Sequence, residues 1–246
     1  MMAVMAPRLF IVHGSHPCVT VELALRRKGI DHRTIELLPP FHAAVTRVLF
    51  GQRTVPAMTF GRGDKVSGSR AILRRLDELQ PDPPLLPADP QARERVLAAE
   101  AWGDETFQPV ARTILWPALK ARPDAILGFQ QGSRLPGLPA PVVKLLAPGI
   151  TTAEQKLNAT DLATAEQAIR ELPAMLDHID QLLADGVIGA DEPNAADLQI
   201  APTVRLLLTV GDVRPLIEGR PLAAWARRVA PEPAGAVPPG VYTVTA

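Results

Sequence analysis

Cysteine is nearly absent from these 246 residues. Cys18 stands alone, which excludes an intramolecular disulfide and any zinc site built on several cysteines. Aromatic residues make up only 4%, no basic run is interleaved with them, and the formal charge is zero, with 26 basic against 26 acidic side chains. Such a chain has no field to draw in nucleic acid or an anionic membrane. No uninterrupted apolar stretch is long enough to span a bilayer. The start, Met1-Met2-Ala3-Val4-Met5-Ala6-Pro7-Arg8, lacks the charged opening, apolar block and cleavage site of a secretory signal. His13 and His16 have no metal-ligand spacing with Asp or Glu, so no metal site is expected. The expectation is a cytoplasmic protein with neither nucleic-acid nor membrane partners.

What is present suits two domains. Hydrophobic residues make up 47% of the chain, enough for a substantial core. Residues 8–13 form an apolar run closed by Gly14-Ser15 and read as a buried strand. Pro17 suits a first helical turn, and a helix over 18–28 carries Val21, Ala24 and Leu25 on one face before Gly29. A second strand over 32–37 and a helix over 41–50 follow. Next come Val55-Pro56-Ala57-Met58-Thr59-Phe60, a Gly61-Arg62-Gly63-Asp64 turn and the short strand at Lys65-Val66, the pattern of a hairpin. Residues 69–79 place Ile72, Leu76 and Leu79 at helical spacing. The first domain, residues 1–80, therefore reads βαβαββα. Residues 81–91 are crowded with proline and predict a stiff, extended linker. Residues 92–230 show no strand-like alternation and predict an all-helical domain. Its helices are expected over 92–120 (kinked or broken by Pro109 and Pro117), 163–184, 194–210 and 221–229, with 121–158 only partly helical. The proline-rich tail, 231–246, is expected to wrap the surface or to be mobile.

Four motifs follow one another in order. The first is Ser15-His16-Pro17-Cys18, opening a helix that ends in Lys28-Gly29-Ile30; the second is Val55-Pro56 before the third strand. The third is Ser67-Gly68-Ser69-Arg70-Ala71-Ile72 at the next helix start, and the fourth is Asn194-Ala195-Ala196-Asp197 in the second half. At the fourth, the Asn194 side chain is expected to accept the Asp197 N–H while the Asp197 carboxylate accepts the Asn194 N–H, with Pro193 and Leu198 placed as a hydrophobic staple. Together these motifs resemble the glutathione transferase superfamily over roughly residues 8–230, with 121–158 poorly matched. The resemblance implies an α/β plus all-α architecture, a thioredoxin-like domain followed by a helical bundle domain.

It also implies a chemistry. Ser15 holds the position of the family's catalytic hydroxyl or thiol, where a donor at a helix start hydrogen-bonds the sulfur of glutathione and favours its thiolate. The alternative is that Ser15 only caps its helix. Val55, before an implied cis Pro56, would pair its backbone with the glutathione peptide. Ser69 would hold the γ-glutamyl carboxylate at a helix N-terminus, or serve as a plain cap. His42, Gln52 and Arg53 fall where the family places groups for the glycyl carboxylate. Gly68 departs from the pattern, since an acid or amide usually precedes this Ser. Cys18 sits where a second redox cysteine would be, and with Ser15 in place of the first, dithiol exchange is excluded. The implied activity is transfer of glutathione or a related thiol, as cosubstrate and without a cofactor, to an apolar electrophile. Implied too are a homodimer and a role in detoxification. The alternative function is a non-catalytic binding or scaffold protein of the same fold.

Overall fold

The computed structural model describes residues 6–61, 63–136 and 139–244; Arg62 of the expected turn, and Thr245 and Ala246 of the tail, lie outside them. β1 (Arg8–Ile11) pairs in parallel with β2 (Arg33–Glu36) and antiparallel with β3 (Ala57–Thr59), which pairs antiparallel with β4 (Lys65–Ser67). The sheet order is β2-β1-β3-β4. A parallel pair needs a crossover, and α1 (His16–Arg27) supplies it. α2 (His42–Phe50) and α3 (Ser69–Leu79) complete the βαβαββα order. Leu9, Val21, Leu25, Met58, Ile72 and Leu76 are wholly buried between sheet and helices, as the apolar spacing predicts, whereas Leu79 in the last turn of α3 is 49% exposed.

The proline-rich segment is docked rather than a free spacer. Leu85 and Leu86 are buried. Leu85 N–H donates to Asp77 Oδ1 (3.1 Å), and its carbonyl accepts from Ala195 N–H (2.8 Å). Lys28, only 1% exposed, donates to the carbonyls of Gln80 (2.6 Å) and Pro83 (2.9 Å) and pairs with Asp77 (2.7 Å). A buried ammonium is costly unless every proton finds an oxygen, and here three do. The Lys28-Gly29-Ile30 turn thus ties α1 to the end of α3 and to the domain junction.

In the second domain α4 (Pro90–Trp102) runs through a π-helical turn (Gly103–Phe107) into α5 (Gln108–Ala121). Neither Pro109 nor Pro117 breaks the run; the irregularity is the π turn one residue before Gln108. Pro109 lies where the π turn passes into α5, so its missing N–H falls at the irregular turn of the run. Gly103 has a packing reason: a Cβ there would meet Ile200 Cγ1 at 2.8 Å. A 3₁₀ turn (Pro123–Ala125) and α6 (Ile126–Phe129) lead to α7 (Ala140–Leu157), then α8 (Leu162–Ala184), α9 (Ala195–Leu207), α10 (Arg214–Ile217) and α11 (Pro221–Val229). All of α9 is buried, so it is the axle of this domain, packed on α1, α4, α5 and α11.

Two expectations gain detail. Segment 121–158 contains an 18-residue helix, α7, that runs through Pro148. Val143, Ala147 and Thr151, at helical spacing, bury one face of it. The tail is pinned: Asp212 accepts the amides of Gly240 (2.7 Å), Val241 (2.9 Å) and Tyr242 (3.0 Å), and Tyr242 Oη donates to the Ile114 carbonyl.

Candidate functional site

Three of the four sequence motifs converge at one edge of the sheet. The register places Phe10 opposite Ala57 and Ala57 opposite Ser67. The C-terminal end of β1, the start of β3 and the end of β4 therefore share an edge, which gathers Ser15, Val55-Pro56 and Ser69. Gly68 N–H donates to the Pro56 carbonyl (2.9 Å) and closes the group; the Val55–Pro56 peptide is cis.

Ser15 occupies the N-cap position of α1 with extended backbone (φ −70°, ψ 115°), and its carbonyl accepts the amides of Cys18 (2.9 Å) and Val19 (3.1 Å). Its hydroxyl, however, takes no helix amide. No acid occupies the first turn of α1, so the positive end of the helix is not neutralised by its own side chains. Cys18 is 1% exposed, and burial pushes its thiol up to about 12, with the nearby Ser15 hydroxyl only partly opposing. A thiol so protonated is a small apolar core group.

Ser69 is the first residue of α3, with Gly68 before it at φ 90°. That backbone region favours glycine, although a Cβ at residue 68 would meet open space. Ser69 is 2% exposed and its Oγ is enclosed with no hydrogen bond. Asp104 of the π turn is a polar neighbour of Ser69. Burial raises that carboxyl above its usual range, while Arg70, Arg112 and the Ser69 hydroxyl pull the other way.

The remaining nominees separate. Arg53 is exposed in the loop between α2 and β3, and Val55 is half-buried. His42 is buried on α2 with Nδ1 3.8 Å from Glu154 Oε1 of α7, and neither atom has a hydrogen-bond partner. Burial lowers the His42 pKa and raises that of Glu154 to about 7. His42 thus faces the second domain. The segment after α6 crosses the same region: His13 Nε2 is 2.8 Å from the Gln131 carbonyl, and Glu36 accepts from Ser133 Oγ and from the Arg134 amide (2.8 Å). A cavity of about 280 Å³, lined by residues including Arg27, Leu85, Arg95 and Glu192, lies beside the linker, and none of the seven nominated residues lines it.

Sequence reading missed a polar seam facing this edge from the second domain. His16, beside Ser15, is 3% exposed with Nδ1 2.9 Å from Thr203 Oγ1 of α9; burial first, then the charge of Arg112, keeps its ring neutral. Gln199 of α9 donates Nε2 to Asp104 (3.1 Å). Gln108 and Arg112 continue the stripe along α5. The spacing of Asp104, Gln108 and Arg112 at intervals of four, which puts them on one helix face, was the available signal. Among the described residues no group of three His, Cys, Asp or Glu side chains is placed to hold a metal.

Comparison with known proteins follows this geometry. Residues 9–84 match the family described as Glutathione S-transferase, N-terminal domain, and residues 162–228 match Glutathione S-transferase, C-terminal domain. No curated protein matches the chain. Among solved structures, the β-etherase LigF from Sphingobium is similar at 18% identity, covering 94% of this chain and 97% of that one with a TM-score of 0.67. A glutathione S-transferase from Sinorhizobium meliloti is similar at 17% identity, with coverage of 93% and 90% and a TM-score of 0.63. A maleylacetoacetate isomerase from Anaeromyxobacter dehalogenans, solved with dicarboxyethyl glutathione and citrate in its active site, is similar at 20% identity, with coverage of 91% and 87% and a TM-score of 0.53. These likenesses speak to the fold; the two family matches, in order along a chain that folds as a mixed sheet domain followed by a helical one, place this protein in the glutathione transferase superfamily.

Proposed function

We propose that the protein binds glutathione or a related thiol along the Ser15, Val55-Pro56 and Ser69 edge and transfers it to an electrophile with an apolar body. The observation that carries the reading is the Ser15 hydroxyl. It stands where a capping serine would, yet takes no helix amide, and so is left to donate to a ligand. A thiol sulfur placed there meets that donor and the positive end of α1, both of which favour the thiolate over the thiol. Ser69 Oγ, buried and unbonded at the start of α3, would bind the γ-glutamyl end, a buried hydroxyl being costly to leave unpaired. Arg53 is the exposed candidate for the glycyl carboxylate, and His42 would act there only after leaving its place beside Glu154. A homodimer in the cytoplasm and a part in detoxification belong to the same proposal, on the superfamily resemblance.

Gly68 favours the second reading, a non-catalytic binding protein, because no acid precedes Ser69 to hold a ligand ammonium. Calorimetric titration with glutathione, followed by conjugation assays on a generic aryl halide, separates the two. Millimolar or tighter binding with turnover is the expected result. Binding without turnover supports the second reading, and absence of both overturns the glutathione form of the first.

A further inference from the structure

The segment that follows α6 passes from the second domain onto the first. Its base is fixed: a Cβ on Gly235 of the tail would lie 2.5 Å from the Phe129 ring, so the tail packs directly on the end of α6. The tail is held in turn by Gly211 N–H on the Val237 carbonyl (2.9 Å) and Val237 N–H on the Thr209 carbonyl (2.8 Å). Beyond Phe129 the chain doubles back in two turns, with Gln131 N–H donating to the Gly128 carbonyl (3.1 Å) and Ser133 N–H to the Gln130 carbonyl (3.1 Å).

The far side of this segment lies against the two residues that precede Ser15. The Phe129 carbonyl oxygen is 3.9 Å from where Gly14 would carry a Cβ, and His13 Cε1 is 3.6 Å from where Gly132 would carry one. Three hydrogen bonds cross between the domains here. His13 Nε2 meets the Gln131 carbonyl (2.8 Å), Ser133 Oγ donates to Glu36, and Arg134 N–H donates to Glu36 Oε2 (2.8 Å). Glu36 is the last residue of β2, in register with Ile11 of β1. Both pins therefore stand at the end of the sheet from which the chain turns into Ser15 and α1.

The segment has little packing of its own. Gln131, Gly132 and Arg134 are exposed, and Ser133 and Leu135 are only half-buried. With so little apolar burial its position depends on the crossing hydrogen bonds, two of which end on the Glu36 carboxylate. A segment held in this way opens without the rest of the fold. It also lies outside both family matches, between residues 84 and 162.

We propose that residues 129–134 form one wall of the electrophile site beside Ser15, and that Glu36, by latching this wall, sets how bulky an electrophile can reach the thiol. The identification with the electrophile site rests on the thiol-transfer reading above; the latched wall does not. Glu36 is here a positioning residue, acting through the segment it holds.

The test places a thiol at position 15 and measures access to it in the full chain. Ser15→Cys is alkylated with iodoacetamide, a small electrophile, and with N-(1-pyrenyl)maleimide, a bulky one, each rate being divided by that of free N-acetylcysteine. Wild type supplies the background, since Cys18 is 1% exposed and burial pushes its thiol up to about 12. Ser15→Cys should disfavour the bulky reagent by at least about tenfold, and adding Glu36→Ala should remove most of that factor while changing the iodoacetamide rate less than about threefold. Glu36→Gln, which keeps one acceptor oxygen, should relieve it less. Ser133→Ala releases one pin from the other side and serves if urea denaturation shows Glu36→Ala to be unfolded. No discrimination in Ser15→Cys overturns the proposal, and so does discrimination that survives in the folded latch variants. Equal acceleration of both reagents marks general loosening and overturns it too. Alkylation needs no glutathione, so failure of the transfer reading shows separately, in the glutathione titration.

Discussion

Two kinds of helix start occur in this protein, and the contrast between them separates structure from chemistry. At the start of α9 every polar group is used. Asn194 Oδ1 accepts the amides of Ala196 (2.9 Å) and Asp197 (3.2 Å), and Asn194 Nδ2 donates to the Val187 carbonyl (2.8 Å). Asp197 accepts the amides of Asn194 (2.9 Å) and Gly189 (2.7 Å) and the indole N–H of Trp225 (2.9 Å). At the start of α1 the Ser15 hydroxyl makes no capping bond, and at the start of α3, where Gly68 holds the cap position, the hydroxyl of Ser69 just after it is unbonded. Polar side chains at helix starts are spent on the fold in one domain and left open in the other. The open ones belong to the segments that meet at one end of the sheet.

Removing the spent group should have the largest effect. Asp197→Ala leaves three donors without an acceptor, two backbone amides and the Trp225 indole. Each costs about 1–3 kcal/mol when buried, so the urea midpoint should fall by the equivalent of about 3 kcal/mol or more. Asp197→Asn, which keeps one acceptor oxygen, should lose clearly less.

A smaller effect of known sign is expected where the domains meet at His42 and Glu154. Burial raises the Glu154 pKa from the usual carboxylate value to about 7. In the window between that usual value and 7 the native state holds a proton that the unfolded chain has released. The contribution of Glu154 to stability therefore falls as pH rises through that window and levels off above it. His42, lowered by burial, has the opposite slope and loses its contribution as pH falls. Glu154→Gln isolates the first effect. Relative to wild type the variant should gain about 1–2 kcal/mol, discounted for screening, between pH 4.5 and 7, read from denaturation at several pH values. A difference that does not change with pH would mean Glu154 titrates normally.

The smallest stability effect belongs to the open class. Ser69→Ala removes a buried hydroxyl that has no partner, so stability should change by less than about 0.5 kcal/mol or rise slightly. Glutathione binding should weaken by about tenfold. A loss of stability near 1 kcal/mol with binding intact would make Ser69 a cap and erase the contrast.

What the sequence made legible was local. The Asn194 and Asp197 exchange lies within one turn and follows from residue type and spacing alone. The strands, α1 and α3 announced themselves through short apolar periods between Gly, Pro and Ser. The seam of Asp104, Gln108 and Arg112 was not legible, because its meaning depends on His16, Gln199 and Thr203, which arrive from α1 and α9 at large sequence separation. In 121–158 the Pro and Gly content gave partial helix without saying where; burial of Val143, Ala147 and Thr151 on one face settles it in α7. The tail gave no local sign of its anchor, since Asp212 lies nearly thirty residues before the amides it binds. The docked linker was hidden for the same reason: the Leu85 partners are Asp77 and Ala195, one from each domain.

The central claim is that the Ser15 hydroxyl is reserved for a thiol rather than for the helix. Its most direct test follows thiolate absorbance of bound glutathione as a function of pH, in wild type and in Ser15→Ala, beside urea denaturation of both. A helix-start donor held for the sulfur predicts a thiol pKa depressed in the wild-type complex and raised by about 1–2 units in the variant, with stability within about 0.5 kcal/mol. Unchanged ionisation together with a stability loss near 1 kcal/mol, the signature of a lost cap, would contradict it.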